Sequence, residues 1–160
     1  LQRALMEMDF FTILLLASLF VVIAGIQEAG VIDAIAELFV KMGGNSVFIM
    51  YSLLLWASVL LSAFIDNIPY VATMLPVVTG IAAAMNVDPT VLYFGLLSGA
   101  TLGGNLTPIG ASANIMGIGI LRRQGHEVKN SEFMRISIPY TVAAITTAYL
   151  VLWLIWGIRA

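Results

Sequence analysis

Residues 91–121 read VLYFGLLSGATLGGNLTPIGASANIMGIGIL, a stretch without a single charged residue. Its centre, from Gly103 to Asn114, is too rich in glycine, asparagine, threonine and proline to form a continuous helix. Pro108 adds to this, because proline lacks a backbone N–H and clashes with the preceding helical turn. We therefore predict a broken helix over 91–121, two half-helices joined by an unwound stretch. The alternative is an ordinary loop between two short helices, but loops outside a membrane usually carry charge.

A second polar break interrupts the apolar region upstream. The sequence SAFIDNIPY places Asp66 and Asn67 between the apolar runs 47–65 and 68–85. One interpretation is an exposed turn between two full spans, with Asp66 solvated and Asn67 capping the second helix. The other is a re-entrant hairpin over residues 47–85 that carries this acid and this amide at its tip. In both arrangements the chain returns to the same face of the membrane, so the distribution of basic residues does not distinguish between them.

The composition sets the class of protein. Of the 160 residues, 61% are hydrophobic and only 10% are charged, and the mean hydropathy is +1.02. A soluble fold of this size cannot hide so much apolar surface, so lipid must be the solvent for much of it. We predict an all-α integral membrane protein. The net charge of −2 gives no indication of nucleic-acid binding, and the absence of cysteine excludes disulfides and cysteine-ligated metals in this chain.

Three further segments complete the predicted organisation. Residues 9–26 form a first span whose apolar core is near the lower limit of length for crossing a bilayer. Residues 31–42 carry a charged stripe opposite an apolar face, which is typical of a short helix lying in the membrane interface. Residues 136–158 form the last span.

The basic residues predict the orientation. Cationic residues are concentrated in the 122–135 segment, and the number of predicted membrane crossings places the start of the chain on the same side of the membrane. Because cytoplasmic loops carry an excess of lysine and arginine, we place this segment in the cytoplasm. Leu1 stands where a complete chain would begin with methionine, so we interpret the chain as a fragment.

The two breaks are the candidate functional sites. Unpaired backbone groups in hydrocarbon cost several kcal/mol each, so broken helices occur where protein or a water-filled cavity satisfies them. Transporters use such breaks to bind substrate and ions near the middle of the membrane. Side-chain and main-chain oxygens suit a hard cation, whereas half-helix N-termini suit an anion. The candidate ion-binding residues are Asp66, Asn67, Asn105, Thr107, Ser112 and Asn114, and the candidate helix-breaking residues are Pro69, Gly103, Gly104, Pro108 and Gly110.

Other roles find less support in the sequence. No nucleophile, zinc-protease or phosphate-loop motif is present, so we assign no catalytic residues and predict that the protein is not an enzyme. We expect no cofactor, only a coupling ion, Na+ or H+, and the one metal ion expected is Na+ at Asp66 and Asn67. Gly95, Gly99 and Gly103 recur every four residues, a spacing that allows close helix packing and is compatible with an ion-binding role nearby.

The two motifs carry a resemblance to a known family. SAFIDNIPYVATMLPVV followed by GATLGGNLTPIGASANIMGIGI resembles the arsenite permease/NhaD-type sodium–proton antiporter family, especially its branch containing the melanosomal P protein. That family belongs to the ion transporter superfamily together with citrate and dicarboxylate transporters. The resemblance covers nearly the whole chain. One departure is that Asp-Asn-Ile-Pro stands at the tip where dicarboxylate transporters have a Ser-Asn-Thr type signature, which argues against a dicarboxylate substrate.

The resemblance implies a specific architecture. Residues 1–160 would be a single transmembrane transport domain, the C-terminal half of an inverted-repeat permease in which each half has a re-entrant hairpin and a discontinuous transmembrane helix. Asp66 and Asn67 would then lie at the hairpin tip, facing the break at Gly103–Asn114.

We therefore expect a secondary active transporter, a permease or antiporter, that moves a small ion coupled to H+ or Na+ by alternating access. The alternatives are a membrane assembly subunit that does not transport and a passive ion channel. Sodium, arsenite, chloride and organic anions all remain open as substrates. The expected partners are membrane lipid, the transported inorganic or organic ion, the N-terminal half of the same permease and a second copy in a homodimer. The expected location is the plasma membrane of a bacterium or archaeon, crossed several times.

Overall fold

The computed structural model describes residues 10–44 and 46–159, and within these the chain forms seven α-helices, one short 3-10 helix and no strand. The helices are α1 (Phe10–Glu28), α2 (Val31–Gly43), α3 (Val47–Ser62), α4 (Asn67–Met85), α5 (Thr90–Gly103), α6 (Ser112–Arg123) and α7 (Asn130–Trp156), and the 3-10 helix is Gly157–Arg159.

The centre of the fold is the packing of α3 along α5. Three glycines, one turn apart, let the two backbones approach closely: Gly95 faces Tyr51, Gly99 faces Leu55 and Gly103 faces Val59. A Cβ on Gly103 would lie 2.5 Å from the Val59 carbonyl oxygen, and one on Gly99 would overlap the Leu55 carbonyl oxygen. The predicted packing role of this glycine repeat is therefore seen in the structure.

Helix α4 lies between α2 and α5 and contributes the fully buried Val77, Val78 and Ile81 to the core. Helix α2 packs against it through Ile32 and Ala36, which are almost completely buried. The charged stripe of α2 (Asp33, Glu37 and Lys41) is exposed, so the helix is amphipathic as its sequence predicts.

The turn between α4 and α5 is set by local chemistry. Asn86 ends α4 in the left-handed conformation (φ 53°). The Asp88 carboxylate accepts a hydrogen bond from the Thr90 backbone N–H at 2.9 Å, at the start of α5. Hydrogen bonds with the side chain and the backbone of Thr90 lower the pKa of Asp88, which is fully exposed. The exposed Asp88 carboxylate therefore stabilises the start of α5.

Helix α7 is longer than the span predicted over 136–158. It begins at Asn130, where Glu132 Oε2 accepts a hydrogen bond from the Lys129 backbone N–H (3.3 Å) and so satisfies a donor at the helix start. It continues through Pro139. The basic 122–135 segment is thus partly helical, and the loop itself covers only residues 124–129.

Aromatic residues join α7 to α3. Tyr149 stacks on Tyr51 with ring centroids 5.3 Å apart, and the Tyr51 hydroxyl donates to the Tyr149 carbonyl oxygen at 3.0 Å. Trp153 packs edge-on against Phe48 at 4.7 Å. These contacts hold α7 beside the helix pair that carries both breaks.

Within the described residues, α4 and α7 are long and apolar enough to cross a bilayer, and α3 and α5 are shorter apolar helices. Large apolar side chains cover much of the outer surface. Val21 is 72% exposed and Ile136 is 76% exposed. Water is a poor solvent for such a surface, which suits a neighbourhood of lipid or of further membrane helices.

Candidate functional site

The two predicted breaks lie against each other. The first is the loop 63–66 between α3 and α4, and the second is the loop 104–111 between α5 and α6. Thr107, which is buried, donates its hydroxyl proton to the Ala63 carbonyl oxygen, and so links the two loops directly. Gly110 also touches the first loop, because a Cβ at this position would lie 2.7 Å from the same carbonyl oxygen.

A second link joins Asn67 to the end of α5. The Ser62 hydroxyl is fully buried and lies 2.5 Å from Asn67 Oδ1 and 2.6 Å from the Ala100 carbonyl oxygen. A hydroxyl has one proton, so Ser62 shares it between two acceptors in a three-centre hydrogen bond. This arrangement fixes the Asn67 side chain and leaves a second lone pair on its oxygen.

Gly104 makes room for the Asn67 carboxamide. A Cβ at Gly104 would lie 2.8 Å from Asn67 Oδ1 and 3.1 Å from the Gly110 carbonyl oxygen. Only glycine fits between these oxygens without displacing them. Gly104 and Gly110 therefore serve close approach between the two breaks, which is one of the roles that glycine plays in loops near ligands.

Asn114 holds the second break in shape. Its side-chain NH2 group donates to the Gly104 carbonyl oxygen at 2.9 Å and to the Thr107 carbonyl oxygen at 3.0 Å. Both amide protons are thus committed to the loop, and its side-chain oxygen forms no hydrogen bond with the residues that the structure describes. The sequence predicts Asn114 inside the unwound stretch, whereas it lies in the first turn of α6 and reaches back.

Asp66 is half-buried and immediately precedes α4. It occupies the N-cap position, yet its side chain makes no capping hydrogen bond to the helix. The carboxylate is therefore not used to start α4. It remains available as a ligand beside Asn67 and the first break.

The helix ends define the electrostatics of the site. Helices α3 and α5 end at the breaks, and α4 and α6 begin there. The C-terminal ends carry partial negative charge and the N-terminal ends partial positive charge. Carbonyl oxygens and Asp66 can therefore attract a cation, while the N-terminal ends can attract an anion.

Asn105 and Asn67 face different cavities. Asn105 lines a cavity of about 910 Å³ beside the start of α7. Asn67 lines a smaller one of about 400 Å³, formed mainly by apolar residues of α4 together with Phe20 of α1. The structure thus brings Asn67, Thr107 and Asn114 together around Gly104. Asn114 is hydrogen-bonded to Gly104 and Thr107, whereas Asn67 lies close to Gly104 and is hydrogen-bonded to Ser62. Asn105 lines a cavity that does not include Asn67.

Three other predicted residues lie at the edges of this group. Ser112 is the exposed first residue of α6. Pro108 lies within the second loop and is half-buried. Pro69 lies in the first turn of α4, where backbone N–H groups have no intrahelical partner, so it favours the start of this helix.

Two serines were not among the candidate site residues. Ser62 connects Asn67 to α5, and Ser137 of α7 donates to the Leu106 carbonyl oxygen at 3.0 Å. A serine four residues before Asp66 carries no distinctive signal in the sequence. Its role depends on which helix packs beside it, and no local pattern encodes that.

Comparison with known proteins adds to this geometry. The chain matches the model of the citrate transporter family over residues 1–159.

The chain belongs to the citrate transporter family.

The proteins to which the chain is similar include several whose names describe them as transporters. The chain is 38% identical over 152 residues to an uncharacterized transporter of Mycobacterium tuberculosis, a match that covers 94% of the chain and 35% of the relative. It is 37% identical over 145 residues to a 46 kDa membrane protein of Mycobacterium leprae, with 89% of the chain and 34% of the relative covered. It is 35% identical over 151 residues to the P protein of Homo sapiens, with 88% of the chain and 18% of the relative covered. No solved structure shows a significant match.

These matches confirm the resemblance inferred from the two motifs, including the similarity to the P protein. The citrate transporter family is a family of membrane transporters, so the chain is part of an integral membrane protein. The chain spans about a third of the length of the mycobacterial relatives that it matches.

Proposed function

We propose that this chain is the part of a secondary active transporter that carries one half of its ion-binding site. The observation that carries the proposal is the contact between the two breaks, made by the Thr107 hydrogen bond to Ala63 and by the approach of Gly104 to Asn67. In a member of a transporter family, two interrupted helices that are joined in this way have the features of a substrate or ion site.

In this proposal the loop 63–66 is the tip of a re-entrant hairpin formed by α3 and α4. Helix α3 has 16 residues, which corresponds to about 24 Å at 1.5 Å per residue, less than the roughly 30 Å of a hydrocarbon core. Helices α5 and α6 have 14 and 12 residues and are shorter still. These three short helices end at polar loops, which supports breaks within the membrane rather than at its surface; α4, the other arm of the hairpin, has 19 residues and is long enough to cross.

Asp66 is the proposed ion-linked group, with Asn67 beside it. A carboxylate and an amide oxygen suit Na+, and the same carboxylate can take a proton. Proton and sodium would then compete for one group, which couples the two ions. The proposal also covers the surroundings of the site. The N-terminal half of the permease would complete the ion-binding site, the permease would form a homodimer, and it would lie in the plasma membrane of a bacterium or archaeon.

The test is gradient-driven transport by the complete permease in proteoliposomes. We expect uptake of radioactive sodium against its own gradient when a proton gradient is imposed, or proton movement when a sodium gradient is imposed. The 160-residue chain alone should not transport, because it carries one half of the site. A complete permease that only dissipates gradients would be a channel, and one that moves no ion would be an assembly subunit.

A further inference from the structure

The large cavity beside α7 leads from the 124–129 loop to the second break. It has a volume of about 910 Å³ and is lined by Asn105 of the break, by Val128 of the loop and by the first turns of α7. Glu132 and Arg135 contribute charges on the loop side, and Ser137 lies one turn deeper along the helix. These four polar residues stand in a wall that is otherwise mainly apolar, formed by Leu121, Val128, Phe133, Ile136 and Tyr140.

The deep end of this cavity is tied to the break by Ser137. Its hydroxyl donates to the Leu106 carbonyl oxygen at 3.0 Å, and Leu106 adjoins both Asn105 and Thr107 in the chain. The Ser137 proton is used in this bond, but the lone pairs of its oxygen remain. Ser137 can therefore contact both the break and a solute in the cavity.

Thr141 lies one turn beyond Ser137 on the same buried face of α7. Its side chain is fully buried, and its hydroxyl is the buried side-chain oxygen without a hydrogen-bond partner among the described residues. Thr146 and Thr147 on the same helix donate to carbonyl oxygens four residues earlier, at 2.7 and 2.9 Å. The Thr141 hydroxyl does not, although an unsatisfied buried hydroxyl is costly. Such a group in a native structure usually meets a water, an ion or a ligand.

We propose that this cavity is the route by which water and the transported ion reach the helix break from the side of the 124–129 loop, and that the Thr141 hydroxyl, which lies one turn beyond Ser137 and is not part of the cavity wall, meets the ion beyond the end of the cavity. The proposal rests on the proposed transport function and adds a path and a residue to it. Asn105 and Ser137 line this cavity, Thr141 lies one turn beyond Ser137 on α7, and the small cavity at Asn67 shares none of these residues.

Cysteine accessibility tests the path; this chain has no cysteine of its own, and any cysteine elsewhere in the complete permease is first replaced by serine. Asn105→Cys and Ser137→Cys are introduced separately into the complete permease in membrane vesicles, and each is reacted with membrane-impermeant thiol reagents bearing an ammonium or a sulfonate head. Val142→Cys is the matched control, since Val142 is exposed on α7 but does not line the cavity. Glu127→Cys in the exposed loop reports full reactivity.

We expect Asn105→Cys and Ser137→Cys to react from the loop side at least about tenfold faster than Val142→Cys, because a thiol in hydrocarbon does not ionise. If both react as slowly as Val142→Cys, because lipid or another part of the permease fills the cavity, the path is wrong. This readout does not require transport, so it stands apart from the test of the proposed function.

Paired substitutions test Thr141. Thr141→Ser keeps the hydroxyl and should keep the apparent affinity for the transported ion within about threefold, whereas Thr141→Val should weaken it about tenfold, the size expected for the loss of one polar contact to a charged group. If the hydroxyl has no partner during transport, Thr141→Val should instead raise the thermal stability and leave transport unchanged. That result would overturn its role as a contact for the ion.

Discussion

The hydroxyl of Thr107 donates its proton to the main-chain carbonyl of Ala63, and this bond joins two helix breaks that lie 44 residues apart in the sequence. Both partners are buried. A buried carbonyl that loses its partner is costly to leave unpaired. The geometry of each break therefore depends on the other.

Thr107→Val should remove the hydrogen bond that links the two breaks. Valine has nearly the shape of threonine but cannot donate, so the Ala63 carbonyl would be left unpaired at a cost of about 1–3 kcal/mol. We expect thermal unfolding of the permease in detergent to shift downward and ion affinity to fall. Thr107→Ser restores the donor and should recover most of both properties. Equal behaviour of the two variants would show that the hydroxyl is not the relevant group.

The glycine repeat of α5 gives a prediction about packing. Gly99→Ala and Gly103→Ala would push a Cβ into the backbone of α3, where the Val59 carbonyl oxygen lies 2.5 Å from the position of a Cβ on Gly103. Overpacking of this kind costs about 1–3 kcal/mol or more. We expect both variants to unfold at lower temperature in detergent and to be poorly recovered from membranes.

Gly117→Ala is the matched control, because a Cβ at this helical position of α6 meets nothing within 4 Å. Alanine is favoured over glycine in a helix by about 1 kcal/mol, so this variant should be neutral or slightly more stable. If Gly103→Ala behaved in the same way, the close contact between α3 and α5 would not be present in the membrane.

Much of the architecture is visible in the sequence because it depends on local chemistry. The charge-free run interrupted by Gly103, Gly104 and Pro108 predicts two half-helices joined by an unwound stretch, and the structure has α5 and α6 separated by the non-helical residues 104–111. The spacing of Gly95, Gly99 and Gly103 likewise indicates a helix-packing surface, although not which helix packs there.

What the sequence does not provide is the pairing of distant groups. Nothing near Ser62 indicates that it bonds to Ala100, and nothing near Asn114 indicates that it donates to Gly104 and Thr107. Asn105 and Asn67 belong to similar polar motifs, yet they line different cavities. These relationships arise from how α3, α5 and α7 pack, which local patterns do not encode.

The re-entrant hairpin predicts a specific accessibility pattern. Phe64, at the tip between α3 and α4, is 68% exposed in this chain. If the tip lies within the membrane, Phe64→Cys in the complete permease should react slowly with impermeant thiol reagents from the cytoplasmic side. Glu127→Cys in the 124–129 loop provides the fast reference. Reaction of Phe64→Cys at the rate of Glu127→Cys would instead indicate two full spans with an exposed turn.

Asp66→Asn tests the ion-linked group itself. The substitution keeps the shape of the side chain and removes its charge, and because Asp66 makes no capping hydrogen bond to α4, thermal stability should change little. A neutral amide neither takes up a proton nor balances the charge of a cation, so coupling between proton and sodium movement should be lost. Asp66→Glu should retain some transport with altered ion affinity. Asp33→Asn, at an exposed acid of α2, is the control for a general loss of charge and should leave coupling intact. The measurement is ion flux through the complete permease in vesicles across a range of pH and sodium concentration, and full coupled transport by Asp66→Asn with an unchanged pH dependence would refute the assignment.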